Sequence, residues 1–198
     1  MRLILASQSA GRRALLAQAG IAHEAMSAAC DEEAEKAHLR AAHLDAAALA
    51  IGLAEAKALS VSMTQPDALV LGCDQTLALD DGTQFDKAPD MDALAAQLAQ
   101  LSGRTHVLHA AMAIARKGEI IWRHVEPAHM TMRQLSADFI QAYLEAEGPE
   151  LLSGVGGYRI EGRGIQLFER IEGNHFAIIG LPLLPLLAYL RQAGAVAA

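Results

Sequence analysis

Two short apolar runs, each followed at once by polar residues, limit the folds open to this chain. Leu3–Ala6 precedes a loop of serines and arginines, and residues 68–72 precede Cys73-Asp74-Gln75. Runs this short and this uniformly apolar are typical of strands that a sheet buries on both faces. Predicted helices alternate with these and with later strand-like segments. The alternation predicts an α/β fold with a mixed sheet, in two lobes around a cleft.

Length and composition favour one folded domain over residues 1–198. Hydrophobic residues make up 53% of the chain and aromatic residues only 4%, so we expect a core of alanine, leucine, isoleucine and valine. A chain of this size buries about 70% of its unfolded surface and needs no disulfide or metal ion for stability. The formal net charge of −7 has the wrong sign for a nucleic-acid-binding surface. We therefore expect a globular protein without a nucleic-acid partner.

Nothing in the sequence predicts export or a membrane span. The apolar run at the start is too short for a signal peptide. Cys30 and Cys73 lie far apart and outside any CxxC pattern, so we expect reduced thiols. The longest uncharged stretch, residues 173–190, is interrupted by prolines and is interpreted as a strand, a turn and a terminal helix. These features predict a soluble, cytoplasmic protein.

Hydrophobic patterns place the remaining elements coarsely. A helix is predicted over residues 12–19 and a longer one over 44–59, with strands over 106–115 and 120–132. The glycine-rich segment 153–164 is predicted to be a loop interleaved with a short strand. This order puts polar residues at the ends of buried strands, where open α/β sheets bind ligands.

The first candidate site is the loop between the first strand and the first helix. It carries Ser7, Ser9, Arg12 and Arg13. A helix N-terminus presents unpaired N–H groups and a partial positive charge, so hydroxyl and guanidinium groups there form a phosphate cradle. The alternative is an ordinary helix N-cap without a ligand.

The second candidate is Asp74, which is predicted to follow the buried strand 68–72 directly. A carboxylate at that edge of a sheet can bind a divalent metal ion or take a proton from water. The alternative is an aspartate that only stabilises a turn at the end of the strand.

Further acidic and basic residues could complete a site for polyphosphate chemistry. Acidic side chains hold a metal ion, and cationic side chains stabilise the negative charge that develops on a phosphate. Taken singly, such residues are more often solvated surface charges. The candidates are Asp31, Glu32, Glu33, Lys57, Lys87, Arg104, Thr105 and His106.

The glycine-rich segment 154–164 is the last candidate. Its glycines allow the backbone to approach a ligand closely, and Glu161 stands among them. A carboxylate accepts hydrogen bonds from the N–H edge of a nucleobase. The segment therefore indicates a base-binding loop.

Taken in chain order, these segments resemble the Maf family of nucleoside triphosphate pyrophosphatases. The resemblance runs nearly from end to end of the chain. The segments that carry it are residues 3–9 (LILASQS), 12–16 (RRALL), Asp31-Glu32, 54–58 (AEAKA), 72–75 (GCDQ), Lys87, 101–106 (LSGRTH), 158–165 (YRIEGRGI), 167–173 (LFERIEG) and 180–183 (GLPL).

The resemblance implies an inosine-triphosphatase-like (Maf/Ham1) fold, with a mixed twisted sheet, flanking helices and a deep cleft between two lobes. It also implies cleavage between the α and β phosphates of a nucleoside triphosphate, to give a nucleoside monophosphate and pyrophosphate. A divalent metal cation (Mg, Mn or Co) is the implied cofactor, and removal of modified nucleotides from the pool is the implied role. Family members are often homodimers.

The family's residue roles carry over to the matching positions of this chain. Asp74 matches the aspartate that accepts a proton, and Glu32 matches an acid that holds the metal ion, which Asp74 would share. Lys57 and Lys87 match lysines on the phosphate side. The implied substrate-binding residues are Ser7, Ser9, Arg12, Arg13, Arg104 and Thr105.

Three positions bear on the choice of base. The branch that acts on dTTP and UTP typically has Asp-Thr and a late Gln, whereas this chain has Asp74-Gln75 and Glu161. A carboxylate suits the N1–H and amino edge of guanine, so the chain resembles the branch that acts on 7-methyl-GTP. That branch commonly has Trp where Gly11 stands here. The alternatives are a dTTP/UTP pyrophosphatase and, from another class, a partner-binding inhibitor of septum formation.

Overall fold

The computed structural model describes residues 1–197 of the chain. The backbone divides into two compact units. The first unit comprises Met1–Gln75, His109–Glu126 and the chain from Asn174 onward, and the second comprises Thr76–Leu108 and Pro127–Gly173. One domain over the whole chain stays a prediction, as does a cleft between two lobes.

Within the described residues the chain forms seven strands and seven α-helices. The strands are β1 (Leu3–Ala6), β2 (Glu24–Ala25), β3 (Leu69–Leu79), β4 (Gln84–Phe85), β5 (Thr105–Arg116), β6 (Glu119–Met132) and β7 (Phe168–Glu172). The helices are α1 (Ala10–Gln18), α2 (Glu32–Ala41), α3 (Ala46–Ser62), α4 (Met91–Leu101), α5 (Ala137–Glu147), α6 (His175–Ile179) and α7 (Leu183–Gln192). None of these helices is long and apolar enough to cross a membrane.

All seven strands belong to one mixed sheet. Its order is β2-β1-β3-β5-β6-β7, and β4 pairs with β3. In the first unit, β1 runs parallel to both β2 and β3, and its last pair joins Ala6 to Gly72. In the second unit, β6 and β7 run antiparallel. The predicted α/β fold with a mixed sheet and flanking helices is confirmed.

Strand β1 and the first residues of β3, 69–72, are apolar because both of their faces pack in buried clusters. Leu5 and Leu71 belong to one buried cluster that also contains Leu16 of α1 and residues of α7. Ile4 and Val70 point to the opposite face and pack in a second buried cluster. Successive side chains of a strand alternate between faces, so a strand covered on both sides has no polar position.

Helix α3 packs unusually close to β3. A Cβ atom on Gly72 would lie 2.1 Å from the carbonyl oxygen of Ala54 and 2.7 Å from the nitrogen of Ala58. Both neighbours are backbone atoms that cannot rotate away, so only glycine fits at this position. Lys57 lies on the same turn of α3, and the close approach brings its ammonium within reach of β3.

The second unit is organised by short polar contacts at the ends of its elements. Asp81 forms the turn between β3 and β4, where its carboxylate accepts from the Thr83 N–H at 2.9 Å. Helices α4 and α5 begin at the N-caps Asp90 and Ser136, whose side chains accept from backbone N–H groups. Each cap satisfies N–H groups that a helix start leaves without partners.

Two predictions of local structure are wrong. The glycine-rich segment 153–164 contains no strand and is flanked by two 3-10 helices, Pro149–Ser153 and Arg163–Leu167. Residues 173–190 contain helices α6 and α7 instead of a strand and a helix. An uncharged apolar stretch fits a buried strand or a buried helix, and the Asn174 side chain, which caps α6, favours the helix.

Candidate active site

Three charged side chains form a cluster in the first unit. The Lys57 ammonium of α3 donates to Asp74 Oδ1 at 2.5 Å and contacts Glu32 Oε2 at 2.9 Å. The side chains of Lys57 and Asp74 are 12% and 11% exposed, whereas that of Glu32 is 42% exposed. Glu32 is the first residue of α2, directly after the N-cap Asp31. The structure thus joins three predicted site residues through one ammonium group.

Asp74 lies within β3, so the prediction that it follows the strand is wrong. Pairing with β1 ends at Gly72, opposite Ala6, two residues before Asp74. Strand β3 continues beyond that edge to Leu79, with β5 as a neighbour in the sheet and β4 paired with Leu77 and Ala78. The Asp74 carboxylate still stands just past the carboxyl end of β1, which is where open α/β sheets bind ligands.

The cluster holds Lys57 in its charged form. Burial alone lowers the pKa of the ammonium, but the charge of Asp74 and the hydrogen bonds to Asp74 and Glu32 outweigh burial and raise the pKa above its ordinary value. The ammonium therefore stays charged between the Asp74 and Glu32 side chains.

The cluster offers two carboxylate oxygens to one divalent cation. Glu32 Oε2 and Asp74 Oδ1 both contact the same nitrogen of Lys57, so they converge on one cation position. Carboxylate oxygens are ligands that Mg²⁺ and Mn²⁺ prefer, with water and substrate phosphates completing the coordination shell. Residues 1–197 contain no group of three or more His, Cys, Asp or Glu side chains able to hold a metal ion. Glu32 and Asp74 supply two of the oxygen ligands that such a cation would need.

The predicted phosphate loop forms the start of helix α1. Ser9 is the N-cap, and its Oγ accepts from the Arg12 N–H at 3.3 Å. Ser7 Oγ accepts from the Ser9 N–H at 3.2 Å, which fixes the loop before the helix. Arg13 is exposed on the first turn. A capped helix start of this kind presents N–H groups and partial positive charge to an anion.

Arg12 ties this loop to the segment that carries Asp74. Its Nη1 donates to the carbonyl oxygen of Cys73 at 3.0 Å and to Ser7 Oγ at 3.3 Å. Its Nε donates to the carbonyl oxygen of Gly180 at 2.9 Å. Because Cys73 directly precedes Asp74, the guanidinium and the charge cluster are neighbours along β3.

Gly180 is a contact of Arg12 that the sequence does not single out. Its φ is +100°, and a Cβ atom there would lie 3.3 Å from the Arg12 guanidinium. A side chain at this position would therefore strain the backbone and crowd Arg12. A backbone carbonyl leaves no side-chain signal in a sequence, and the Gly-Leu-Pro pattern that begins at Gly180 is the only hint of its role.

Two residues predicted to set base choice contact helix α6. Gln75 Nε2 donates to the carbonyl oxygens of Ala177 and Ile178, at 2.9 and 3.1 Å. A Cβ atom on Gly11 would lie 3.3 Å from Ile179 Cγ2, so Ile179 takes up space that a larger residue would need. Gln75 therefore anchors α6, and the roles of Gln75 and Gly11 in base choice stay predictions.

Four further predicted residues belong to the second unit, whereas Glu33 lies on α2 in the first. Arg104 Nη2 donates to Asp81 Oδ2 at 2.7 Å, and Thr105 Oγ1 lies 2.8 Å from a threonine hydroxyl of β6. Lys87 is exposed between β4 and α4, and Glu161 is exposed in the glycine-rich segment. The part that these four residues take in substrate binding and catalysis stays a prediction.

Known proteins match this chain over nearly its whole length. The family model described as Maf-like protein matches residues 2–193. The 7-methyl-GTP pyrophosphatase of Brucella abortus biovar 1 (strain 9-941) is 52% identical over 192 residues, which cover 97% of this chain and 96% of that relative. The 7-methyl-GTP pyrophosphatase of Rhizobium meliloti (strain 1021) is 51% identical over 195 residues, which cover 98% of this chain and 97% of that relative. The nucleoside triphosphate pyrophosphatase of Granulibacter bethesdensis (strain ATCC BAA-1260 / CGDNIH1) is 49% identical over 192 residues, 97% of each chain.

Proposed function

The chain belongs to the family of Maf-like proteins, and on that premise we propose that it is a nucleoside triphosphate pyrophosphatase. Its reaction is hydrolysis of the bond between the α and β phosphates, which releases a nucleoside monophosphate and pyrophosphate. Relatives that are about half identical over nearly the full chain carry the names of such enzymes. The charge cluster around Lys57 supports the same chemistry.

The observation that carries the proposal is that two cationic side chains contact consecutive residues of β3. Arg12 binds the Cys73 carbonyl, and Lys57 binds the Asp74 carboxylate. Hydrolysis of a triphosphate needs cationic groups that bind its oxygens and a carboxylate that accepts a proton from the attacking water. Both kinds of group lie here beside the start of α1, which itself favours an anion.

Asp74 accepts a proton from the attacking water in this mechanism. The water oxygen bonds to the α phosphorus, and the bond between that phosphorus and the oxygen bridging to the β phosphate breaks. Pyrophosphate leaves with the electron pair of the broken bond. Lys57 and Arg12 stabilise the negative charge that develops on the phosphate oxygens, the role that the family resemblance also implies for Lys87. Ser7 and the N–H groups at the start of α1 position the triphosphate.

Glu32 and Asp74 hold a divalent cation (Mg²⁺, Mn²⁺ or Co²⁺) in this proposal. When bound, the ion polarises phosphate oxygens and neutralises part of the triphosphate charge. The Lys57 ammonium keeps both carboxylates turned toward one position. A carboxylate has two oxygens, so Asp74 can bind a cation through one and accept a proton at the other.

The proposed substrate is 7-methyl-GTP. Two relatives with at least 51% identity to this chain are named 7-methyl-GTP pyrophosphatases. Glu161 offers a carboxylate to the N1–H and amino edge of guanine, and Gln75 and Gly11 complete the set of base-choosing positions. Hydrolysis of dTTP and UTP is the alternative within the same chemistry.

The proposed setting is a cytoplasmic homodimer that removes modified nucleotides from the pool. A partner-binding inhibitor of septum formation is the alternative from another class of function. A binding module has no need to bury a lysine between two carboxylates at considerable desolvation cost. The Lys57 cluster therefore favours catalysis.

Pyrophosphate release by the purified protein tests the proposed function. The substrates are 7-methyl-GTP, GTP, dTTP, UTP and CTP, each with Mg²⁺, Mn²⁺ or Co²⁺ and with EDTA as the control for metal dependence. The proposal predicts metal-dependent release that is fastest with 7-methyl-GTP. Fastest release with dTTP and UTP supports the alternative substrate, and no release from any nucleotide contradicts the enzymatic function.

A further inference from the structure

A buried ring pair in the second unit has no part in the proposed chemistry. His106 of β5 is inaccessible to solvent, and its Nε2 lies 2.6 Å from the hydroxyl oxygen of Tyr158. The Phe168 ring packs edge-on against Tyr158, with centroids 4.8 Å apart. The two polar rings are therefore joined by a hydrogen bond inside an aromatic cluster.

The histidine carries a cost that an apolar ring would avoid. Its Nδ1 is buried and has no hydrogen-bond partner among the described residues. A buried polar atom without a partner lowers stability. Among residues 1–197, the one contact that His106 makes and an apolar ring could not make is therefore the hydrogen bond to Tyr158.

Tyr158 belongs to the glycine-rich segment, which is fixed at several points within the second unit. Gln97 of α4 donates from Nε2 to the Val155 carbonyl at 2.6 Å, and the Tyr143 hydroxyl of α5 donates to the Gly157 carbonyl at 3.3 Å. The bond between Tyr158 and His106 adds an anchor on the sheet, three residues before Glu161.

On the premise that Glu161 recognises the base as proposed, we infer that His106 is a positioning residue for base selectivity. Its hydrogen bond to Tyr158 fixes the backbone segment from which Glu161 reaches the base. His106 itself touches no substrate. A polar group that reads a base edge must be held within a fraction of an ångström, so loss of the anchor weakens recognition more than it weakens phosphate binding.

Binding calorimetry with 7-methyl-GTP and UTP tests this inference without depending on turnover. The variants are Tyr158→Phe, which removes one hydroxyl and keeps the ring, His106→Phe, Glu161→Gln and the double variant Tyr158→Phe with Glu161→Gln. Tyr189→Phe is the matched control, because Tyr189 stacks on Trp122 in the first unit and lies outside the segment. Thermal unfolding of each variant reports any loss of stability separately.

The inference predicts that Tyr158→Phe and His106→Phe each lower the ratio of UTP to 7-methyl-GTP dissociation constants about tenfold, the usual effect of one buried hydrogen bond. The double variant should show no further loss relative to Glu161→Gln, because both changes act through one carboxylate. In the turnover assay, Tyr158→Phe should raise KM for 7-methyl-GTP while kcat stays within about twofold of wild type.

Different variants test the positioning role of His106 and the proposed role of Glu161. A lower melting temperature with an unchanged selectivity ratio in Tyr158→Phe would overturn the positioning role and leave base recognition by Glu161 intact. Additive losses in the double variant would also overturn it. An unchanged ratio in Glu161→Gln, or a wild-type ratio near one, contradicts the proposed role of Glu161 and removes the premise.

Discussion

The Lys57 ammonium of α3 lies 2.5 Å from the Asp74 carboxylate of β3. The contact depends on Gly72, because any side chain there would push α3 away from the strand. The same ammonium also contacts Glu32 at 2.9 Å, so it stands at the position on which both carboxylates converge. A divalent cation bound by Glu32 and Asp74, as proposed, would therefore have to displace the ammonium from that position.

Removal of the Lys57 charge is expected to strengthen metal binding although it weakens catalysis. Lys57→Met should raise the affinity for Mn²⁺ in the absence of nucleotide about tenfold, because it removes a charged, hydrogen-bonded competitor. Calorimetric titration with MnCl₂ measures this directly. Lys117→Met, which removes an equal charge at an exposed turn, is the control and should leave the affinity unchanged. Weaker Mn²⁺ binding by Lys57→Met would contradict the competition.

Arg12 and Arg13 should respond differently to the same substitution. Arg12 donates to the backbone carbonyls of Cys73 and Gly180, so Arg12→Met should lower the melting temperature by roughly 3–8 °C as well as weaken substrate binding. Arg13 is exposed, so Arg13→Met should keep the melting temperature and raise KM about tenfold through lost phosphate contact. Thermal unfolding and steady-state kinetics measure the two effects. Equal changes in melting temperature for both variants would contradict the structural role of Arg12.

Gly72→Ala is expected to destabilise the first unit and disturb the charge cluster. The new methyl group would meet the Ala54 carbonyl oxygen at 2.1 Å, so α3 must shift, at a cost of about 2 kcal/mol or more in the free energy of unfolding. Gly154→Ala is the matched control, since nothing lies within 4 Å of a Cβ atom there and its φ of −109° suits any residue. Urea unfolding measures both. Equal stability of the two variants would show that α3 does not pack against β3 as described.

Burial of His106 predicts a loss of stability in mild acid. Burial lowers the pKa of His106 to about 4 from an ordinary value of 6.5, and Tyr158 is the titratable group that faces it. Between these two values the unfolded chain binds the proton and the folded chain does not, so the free energy of unfolding falls as pH falls through this window. The loss attributable to His106 is up to about 3 kcal/mol by pH 4.

The variant His106→Gln isolates this contribution from that of other titrating groups. Urea unfolding at pH 7 and pH 4.5 should show a smaller acid-induced loss in His106→Gln than in the wild type, because the remaining groups are common to both. The same loss in both proteins would mean that His106 keeps an ordinary pKa when folded.

The sequence predicts most of the element order because the signals involved are local. The apolar runs at Leu3–Ala6 and after residue 67 mark buried strands, and Ser9 and Ser136 mark helix starts through their own side chains. The association of Glu32, Lys57 and Asp74 came from their chemical types and from the family resemblance, and the structure brings all three together.

Contacts that depend on backbone atoms distant in sequence could not be predicted. Arg12 binds the carbonyl of Gly180, 168 residues away, and Gln75 binds the carbonyls that end α6. Every residue has a backbone carbonyl, so the residue type does not identify which carbonyl accepts a hydrogen bond. The length of β3 is a similar case, since its extension past Gly72 depends on pairing with partner strands and not on its own composition.

Pyrophosphate release by Asp74→Asn tests the central claim most directly. The asparagine keeps the size of the side chain and an oxygen for Lys57 but cannot accept a proton from water. With saturating Mg²⁺ or Mn²⁺, kcat/KM for 7-methyl-GTP should fall at least about 100-fold, and Asp67→Asn, a change at an exposed turn of the same unit, should leave it unchanged. Wild-type rates in Asp74→Asn would contradict the assignment of Asp74 as the proton acceptor.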